Sequence, residues 1–272
     1  MTTARRTVEV DGARASYLTA GGQGTPPLLL LHGTYWSRVW LPVLPALAAA
    51  GLRPIAVDLP GCGRSAGELT AETATVPALT AWTERFLAAL GIDEPLAVAG
   101  HDIGGAIAQR LLAERRRVTR LALVNSVTYD SWPVPGVARF RDPEVAARTT
   151  TEEVVAARRT AIAAALARPA AESEIDEYTD PWTDPRVARS WLALAGAADS
   201  RYTLELLPAL RETAEPKLLV WGEDDGFQRV EYADRFAAEI PGATLVRIPA
   251  AGHIPMENDP ARVGALLAGF FA

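Results

Sequence analysis

Val98–Ala106, with the sequence VAGHDIGGA, joins two segments of different pattern. An apolar run from Pro95 to Ala99 stops at a glycine, and apolar residues at helical spacing begin at Ala106. This order predicts a strand, a sharp turn and a helix. The glycines on both sides of the turn leave room for a strained backbone and for close packing of strand and helix. The residue displayed at the turn is Asp102, a carboxylate.

Three further short motifs follow predicted strands or lie near the C-terminus. His32-Gly33 follows an apolar run, WGEDD occupies Trp221–Asp225, and AGH occupies Ala251–His253. Together with the turn at Asp102, these motifs and their order resemble the α/β-hydrolase superfamily. The resemblance is to its aspartate-nucleophile branch, which contains haloalkane dehalogenases, haloacetate dehalogenases and soluble epoxide hydrolases. It covers nearly the whole chain outside about residues 130 to 212.

The resemblance implies an α/β-hydrolase fold, in which helices flank a mostly parallel central sheet and a helical cap is inserted. Alternating strand and helix patterns up to Ser126 also favour a parallel sheet. From about Tyr129 onward there is no apolar strand run, and alanine- and arginine-rich helices separated by prolines take its place. We therefore expect a first core part at residues 1–128, a cap at 129–212 and a second core part at 213–272.

Composition excludes several classes of protein. The net charge of −6 argues against nucleic acid or an anionic membrane as a partner. No segment has the roughly 20 apolar residues of a membrane span, and the N-terminus lacks an apolar signal region. Cys62 is the only cysteine, which excludes an internal disulfide. We expect a cytoplasmic protein, and a homodimer is left open.

No metal or cofactor is expected. The chain has three histidines, and their positions show none of the spacing of metal ligands. There is also no phosphate loop or dinucleotide fingerprint in the strand-and-helix context that such a motif needs.

An aspartate at the turn restricts the reaction. Its carboxylate is charged at pH 7 because the reference pKa is about 3.9. Attack by Asp102 on a carboxylic ester would give an anhydride, which is an uphill step, whereas attack on saturated carbon gives a stable alkyl ester. The expected substrate is a small apolar organic molecule that carries a halide or an epoxide oxygen as the leaving group.

The resemblance also implies the other catalytic roles. His253 would activate the water that hydrolyses the ester, and Asp225 would orient the imidazole. Asp224 competes for that second role, but the family's register in Trp-Gly-x-x-Asp favours Asp225. Backbone N–H groups of Thr34 and Ile103 would form the oxyanion hole.

The leaving group stays open because no subfamily matches fully. Ile103 stands where haloalkane dehalogenases usually have tryptophan and fluoroacetate-type dehalogenases have arginine, and Tyr35 replaces the proline of His-Gly-x-Pro. Tyrosines in the cap could protonate an epoxide oxygen, whereas indole N–H groups could receive a halide. The candidates beside the site are Tyr202, Tyr178, Trp36, Trp132, Trp182 and His101. Epoxide opening is the narrow first choice and dehalogenation the alternative.

Two other interpretations compete with a hydrolase acting on saturated carbon. The chain could be a non-hydrolytic ligand-binding or biosynthetic member of the fold, since one fold hosts many functions. The presence of Asp102, Asp225 and His253 together argues against that. An ordinary esterase is disfavoured because the turn carries no serine.

Overall fold

An eight-stranded sheet forms the centre of the protein in the computed structural model, which describes residues 2–22, 24–114 and 117–272. Met1, Gln23, Arg115 and Arg116 belong to the first predicted domain and lie outside the described residues. The strands are β1 (Ala4–Val10), β2 (Ala13–Thr19), β3 (Pro27–Leu31), β4 (Arg53–Val57), β5 (Leu96–Asp102), β6 (Val118–Ser126), β7 (Lys217–Gly222) and β8 (Ala243–Ile248).

The strands follow the order β1-β2-β4-β3-β5-β6-β7-β8. β2 pairs antiparallel with both β1 and β4, and every other pairing is parallel. This is the mostly parallel sheet that the resemblance implies, and the predicted fold class is confirmed.

The α-helices either pack beside the sheet or form a segment inserted between β6 and β7. They are α1 (Leu44–Ala49), α2 (Val76–Ala89), α3 (Ile103–Ala113), α4 (Pro135–Ala138), α5 (Pro143–Arg148), α6 (Thr151–Leu166), α7 (Glu172–Thr179), α8 (Pro185–Gly196), α9 (Arg201–Leu204), α10 (Leu207–Leu210), α11 (Val230–Glu239), α12 (Pro255–Asn258) and α13 (Pro260–Phe271). Three short 3₁₀ helices occupy Ser37–Val43, Arg139–Arg141 and Asp180–Thr183.

The sheet is buried on both faces because alternate side chains of its central strands enter two apolar layers. In β3, Leu29 and Leu31 belong to one layer, and Leu28 and Leu30 belong to the other. A strand buried in this way has a continuous apolar sequence rather than an alternating one. Because β3 to β8 run parallel to one another, their carboxyl ends meet at one edge of the sheet.

The sharp turn after β5 has the geometry that its glycines indicated. Asp102 ends the strand with a φ of 53° and a ψ of −129°, and α3 begins at the next residue. A Cβ atom on Gly105 would lie 1.7 Å from Oγ of Ser126, and one on Gly100 would lie 2.5 Å from Cα of Gly105. Strand and helix can approach so closely only because these positions have no side chain.

The helical segment from Ser37 to Ala49 is divided into two kinds of helix. A 3₁₀ helix over Ser37–Val43 precedes α1. Pro42 lies inside the 3₁₀ helix and has no N–H to donate, which is a physical reason for the break in the regular α-helical pattern.

Helices α4 to α10 all lie between β6 and β7 and form the helical segment (residues 135–210). It contacts the sheet-side loops through polar pairs: Oγ of Ser190 accepts from N of Leu69, and Arg189 pairs with Glu68. These helices fall within residues 129–212, where the sequence predicts a cap. None of the helices in the described ranges is both long and apolar enough to cross a bilayer.

Candidate active site

A cavity of about 460 Å³ lies where the ends of β3 and β5 face the helical segment. Thr34, Asp102 and His253 line it from the sheet side, and Arg158 and Trp191 line it from the helical segment. The size falls in the range of small-molecule sites. Within residues 2–22, 24–114 and 117–272, no group of three His, Cys, Asp or Glu side chains is placed to hold a metal ion.

The carboxylate of Asp102 is held by one of its two oxygens. Oδ2 accepts hydrogen bonds from N of Thr34 at 2.8 Å and from Oγ1 of Thr34 at 2.7 Å. Hydrogen bonds from the described residues reach only this oxygen of the side chain. Oδ1 therefore keeps its lone pairs for a reacting carbon, while Oδ2 already occupies a site of N–H and O–H donors.

The absence of a side chain at Gly33 makes this arrangement possible. A Cβ atom there would lie 2.4 Å from N of Ile103 and 2.6 Å from Oδ2 of Asp102. Oδ2 and the Ile103 amide thus lie close to the same point, beside the Thr34 amide. Thr34 and Ile103, the two residues predicted for the oxyanion hole, both line the cavity. The sequence interpretation missed the second donor of Thr34, its hydroxyl.

Asp225, rather than Asp224, contacts the late histidine. Its Oδ2 lies 2.8 Å from Nδ1 of His253, and Asp224 is exposed to solvent. The other acceptor sites of Asp225 are also filled. Oδ2 accepts from Nδ2 of Asn125 at 2.7 Å, and Oδ1 accepts from the backbone N–H groups of Phe227 and Gln228. Because the carboxylate only accepts, Nδ1 of His253 carries the proton and Nε2 is free to act as a base.

Charge in this pair favours an ionised carboxylate beside a basic imidazole. Burial alone would lower the pKa of His253, but the charge of Asp225 and its hydrogen bond raise the pKa above the usual 6.5. Burial alone would raise the pKa of Asp225. The charge and hydrogen bond of His253, together with hydrogen bonds from Asn125 and Gln228, bring this pKa below its usual range. The charge of Asp102 also raises the pKa of His253, so the two groups interact across the cavity.

His101 contacts the backbone of His253. It is fully buried, and its Nε2 donates to the backbone carbonyl of His253 at 2.8 Å. Burial and the neighbouring charge of His253 lower the pKa of His101 to about 3, so the ring stays neutral. His101 is not among the cavity-lining side chains, and its position fits a structural role next to the site.

Four of the predicted leaving-group residues lie away from the cavity. The hydroxyl of Tyr178 donates to Glu257 at 2.7 Å, and the indole of Trp36 donates to the Tyr178 carbonyl at 3.1 Å. Tyr202 packs against an apolar layer of the core, and Trp182 lies against the guanidinium of Arg158. Contrary to the expectation that these four side chains lie beside the site, none of them lines the cavity.

Trp132 does line the cavity, but its indole N–H is already used. Nε1 of Trp132 donates to Oγ1 of Thr203 at 2.8 Å. Trp132 can therefore contribute apolar surface to a ligand, while its indole N–H is already bound to Thr203 of the helical segment.

Sequence reasoning missed Tyr35, Asn125, Arg158 and Trp191. Tyr35 is the second residue after the His-Gly motif, and Asn125 is the last residue but one of β6 beside β5, so strand ends could have pointed to both. Nothing in the sequence distinguishes Arg158 from the many arginines around it. Only the tertiary packing of α6 places its guanidinium against the rings of Tyr35, Trp182 and Trp191.

Comparison with known proteins finds relatives that match nearly the whole chain. A haloalkane dehalogenase from Bradyrhizobium diazoefficiens is 28% identical over 98% of this chain and 94% of its own length. A crystal structure of a putative ancestral haloalkane dehalogenase superposes with a TM-score of 0.84 at 26% identity, covering 98% of each chain. The dihydrolipoyllysine-residue acetyltransferase component of an acetoin cleaving system from Pseudomonas putida is 28% identical over 96% of this chain and 68% of its own length.

The model of the alpha/beta hydrolase family matches residues 28–266. The chain belongs to the α/β-hydrolase family.

Proposed function

We propose that this α/β-hydrolase is a hydrolytic dehalogenase that displaces a halide from saturated carbon through an alkyl ester on Asp102. The observation that carries the proposal is the position of the Asp102 carboxylate. It is displayed on a strained turn in the cavity, with Oδ2 held by Thr34 and Oδ1 unbonded, and His253 lines the same cavity. A charged carboxylate needs no base for this first attack.

In the first step, Oδ1 attacks the carbon from the side opposite the leaving group. The new C–O bond forms as the carbon–halogen bond breaks, and the halide departs with the bonding electron pair. Asp102 then carries an ester whose carbonyl oxygen is Oδ2. This oxygen already accepts two hydrogen bonds from Thr34, so the donors are in place before charge develops on it.

In the second step, water attacks Cγ of Asp102 while Nε2 of His253 takes its proton. The negative charge that forms on Oδ2 is stabilised by the Thr34 donors, and Asp225 stabilises the imidazolium. When the intermediate collapses, the bond from Cγ to Oδ1 breaks, and His253 returns the proton to Oδ1, which leaves with the substrate carbon as the alcohol. One proton from water and the halide are released, and Asp102 keeps one oxygen from water.

The choice of halide is supported by two observations. The relatives named above include haloalkane dehalogenases. In addition, both tyrosines predicted to protonate an epoxide lie away from the cavity. A departing halide needs hydrogen-bond donors and no proton.

Epoxide opening is the second candidate because Tyr35 lines the cavity. Burial raises the pKa of Tyr35 above its usual value of 10, so the phenol keeps its proton at neutral pH. An opening epoxide requires such a proton donor. The phenol of Tyr35 could take the role that the sequence interpretation assigned to Tyr178 and Tyr202.

A single turnover in water labelled with heavy oxygen tests the covalent mechanism. With enzyme in excess over substrate, the alcohol should contain unlabelled oxygen because it comes from Oδ1 of Asp102. Label should appear in Asp102 instead, in the peptide analysed by mass spectrometry. Label in the alcohol of the first turnover would contradict attack by Asp102.

The leaving group is decided by a matched substrate panel. Bromoalkanes, bromoacids and epoxides of equal chain length are incubated with the enzyme, and halide and diol are measured. Halide release in the absence of diol formation is the expected result. Diol formation that is lost in Tyr35→Phe, without halide release by the parent enzyme, would assign the protein to epoxide hydrolysis.

A further inference from the structure

Arg158 is a buried positive charge without an acidic partner. Its side chain is 5% exposed, and it forms no ion pair with the part of the chain that the structure describes. Nε and Nη2 have no hydrogen-bond partner there. A buried charge without a counter-charge is costly, so a position that keeps one requires an explanation.

The two unpartnered nitrogens lie on the same edge of the guanidinium. Nε–H and Nη2–H point in parallel from that edge, and this fork matches the two oxygens of a carboxylate. A halide ion is a single acceptor atom, so it matches the two parallel N–H groups less well than the two oxygens of a carboxylate do. The unpaired groups are therefore better matched to a planar two-oxygen anion than to a spherical one.

Aromatic rings hold the guanidinium in place. Its central carbon lies 4.8 Å from the ring centres of Tyr35 and Trp182 and 5.2 Å from that of Trp191. The guanidinium is also close enough to Tyr35 for its charge to lower the pKa of that phenol. These contacts stabilise a cation and fix its orientation, but they provide no negative charge. Nε1 of Trp191 is a further buried donor without a partner among the described residues.

Two arginines and one aspartate line the cavity, with Arg139 at its solvent-exposed rim and Asp225 behind His253. The charged side chains in its lining are Asp102, Arg139 and Arg158, with His253 neutral at high pH. The buried Arg158 is a local positive charge in a chain whose net charge is −6. Arg158 is also close enough to His253 for its charge to lower the pKa of that residue. A low-dielectric cavity with such a lining attracts anions.

We infer that the substrate carries a carboxylate that pairs with Arg158 while Oδ1 of Asp102 attacks a carbon elsewhere in the same molecule. Trp191 supplies a further donor to this anion through Nε1. The inference rests on the proposed function for the reaction at Asp102 and adds the substrate class, an acid bearing a leaving group on saturated carbon. The cavity of about 460 Å³ has room for carbon atoms between the two ends.

Binding of unreactive probes tests the site without requiring chemistry. 4-Phenylbutyrate and 4-phenylbutyramide are titrated into the intact protein at pH 8 by calorimetry. The carboxylate should bind at least about 10-fold more tightly than the amide, which has the same carbon skeleton. Arg158→Met should weaken carboxylate binding by roughly 10- to 100-fold and leave amide binding within about 2-fold, as expected for loss of charged hydrogen bonds.

The matched control is Arg159→Met. Arg159 is the next residue of α6, but it pairs with Glu172 and Asp176 on the outside of the helical segment. This variant should keep the preference for the carboxylate. Trp191→Phe keeps an aromatic ring and removes the N–H, and it should weaken carboxylate binding about 3- to 10-fold. Because it keeps an aromatic ring, this variant also tests the site if Arg158→Met fails to fold.

Three results would overturn the inference. The parent protein could bind acid and amide equally, or a folded Arg158→Met variant could keep the preference. Titration with sodium bromide could also show halide binding that depends on Arg158 while phenylbutyrate binding does not. In that third case the anion at Arg158 would be the departing halide.

The outcomes separate this inference from the proposed function. Carboxylate binding that requires Arg158, without halide release from any bromoacid, would leave the anion site in place and reject the dehalogenase proposal. Halide release with equal kcat/KM from 6-bromohexanoate and 1-bromohexane would support the dehalogenase and reject the carboxylate site.

Discussion

The two sides of the cavity differ in how completely their polar groups are paired. On the sheet side, Asp225 has hydrogen bonds to both oxygens, and Oδ2 of Asp102 has two donors. On the side of the helical segment, Arg158 and Trp191 have buried donors without partners among the described residues. Polar groups that are already hydrogen-bonded have a fixed geometry, whereas unpaired donors remain available to bind a ligand. Under the proposed function, we therefore expect the sheet side to determine the reaction and the helical segment to determine the substrate.

This difference follows from how each side is built. Asp102, Asp225 and His253 stand at or just beyond the ends of β5, β7 and β8, where the sheet fixes the backbone. Arg158 and Trp191 come from two helices, α6 and α8, whose relative position is set by side-chain packing. Substitutions on the sheet side should therefore affect rates on every substrate, and substitutions on the helical side should affect the choice among substrates.

The largest effect on the sheet side is expected for His253→Gln. Formation of the ester does not require the base, whereas its hydrolysis does, so turnover should fall by roughly 10⁴- to 10⁶-fold. One equivalent of halide should be released in a burst. Mass spectrometry of the intact protein should then show the substrate's organic group added to Asp102. Complete loss of the burst in a folded variant would mean that His253 acts before ester formation.

The next largest effect on turnover is expected for Asp225→Asn. The amide cannot hold the imidazole as a charged partner, and the rate should fall by about 10⁴-fold, as for an equivalent change in a serine protease triad. The pH profile provides the sharper readout. Asp225 raises the pKa of His253, and the base acts only when neutral. In the parent enzyme, ester hydrolysis should therefore increase with pH through a midpoint above 6.5.

In the Asp225→Asn variant, this midpoint should move to lower pH, because burial lowers the pKa of His253 when the opposing charge is removed. Single-turnover rates of ester hydrolysis between pH 5 and 9 measure both midpoints. An unchanged midpoint would show that a different group controls the step.

A smaller effect is expected for Thr34→Val. The backbone N–H of residue 34 remains, and only the hydroxyl donor to Oδ2 of Asp102 is lost. One donor of several in an oxyanion site accounts for about 10- to 100-fold in rate. Thr34→Ser keeps the hydroxyl and should retain most of the activity. Equal losses in both variants would indicate that packing by the methyl group matters, rather than the hydrogen bond.

The sheet side was also the more predictable one. Three local patterns pointed to it: the strand that ends at Asp102, the glycines beside that residue, and the Trp-Gly-x-x-Asp register. The structure places Asp102, Asp225 and His253 close together. Side-chain orientation in the helical segment is not a local property. Tyr178 and Trp182 are ordinary aromatic residues in sequence, and only tertiary packing turns the hydroxyl of Tyr178 toward Glu257 and places Trp182 against Arg158.

Tyr178→Phe should have the smallest effect and tests that distinction directly. The hydroxyl of Tyr178 donates to Glu257, which also pairs with Arg38, and it does not line the cavity. Loss of one such hydrogen bond should lower the free energy of unfolding by about 1 kcal/mol, as measured by urea denaturation. Turnover of both bromoacids and epoxides should stay within about 2-fold of the parent. If diol formation fell 10-fold or more in Tyr178→Phe while Tyr35→Phe had no effect, the helical segment would have to supply the proton donor, and Tyr178 would have to move into the cavity during the reaction.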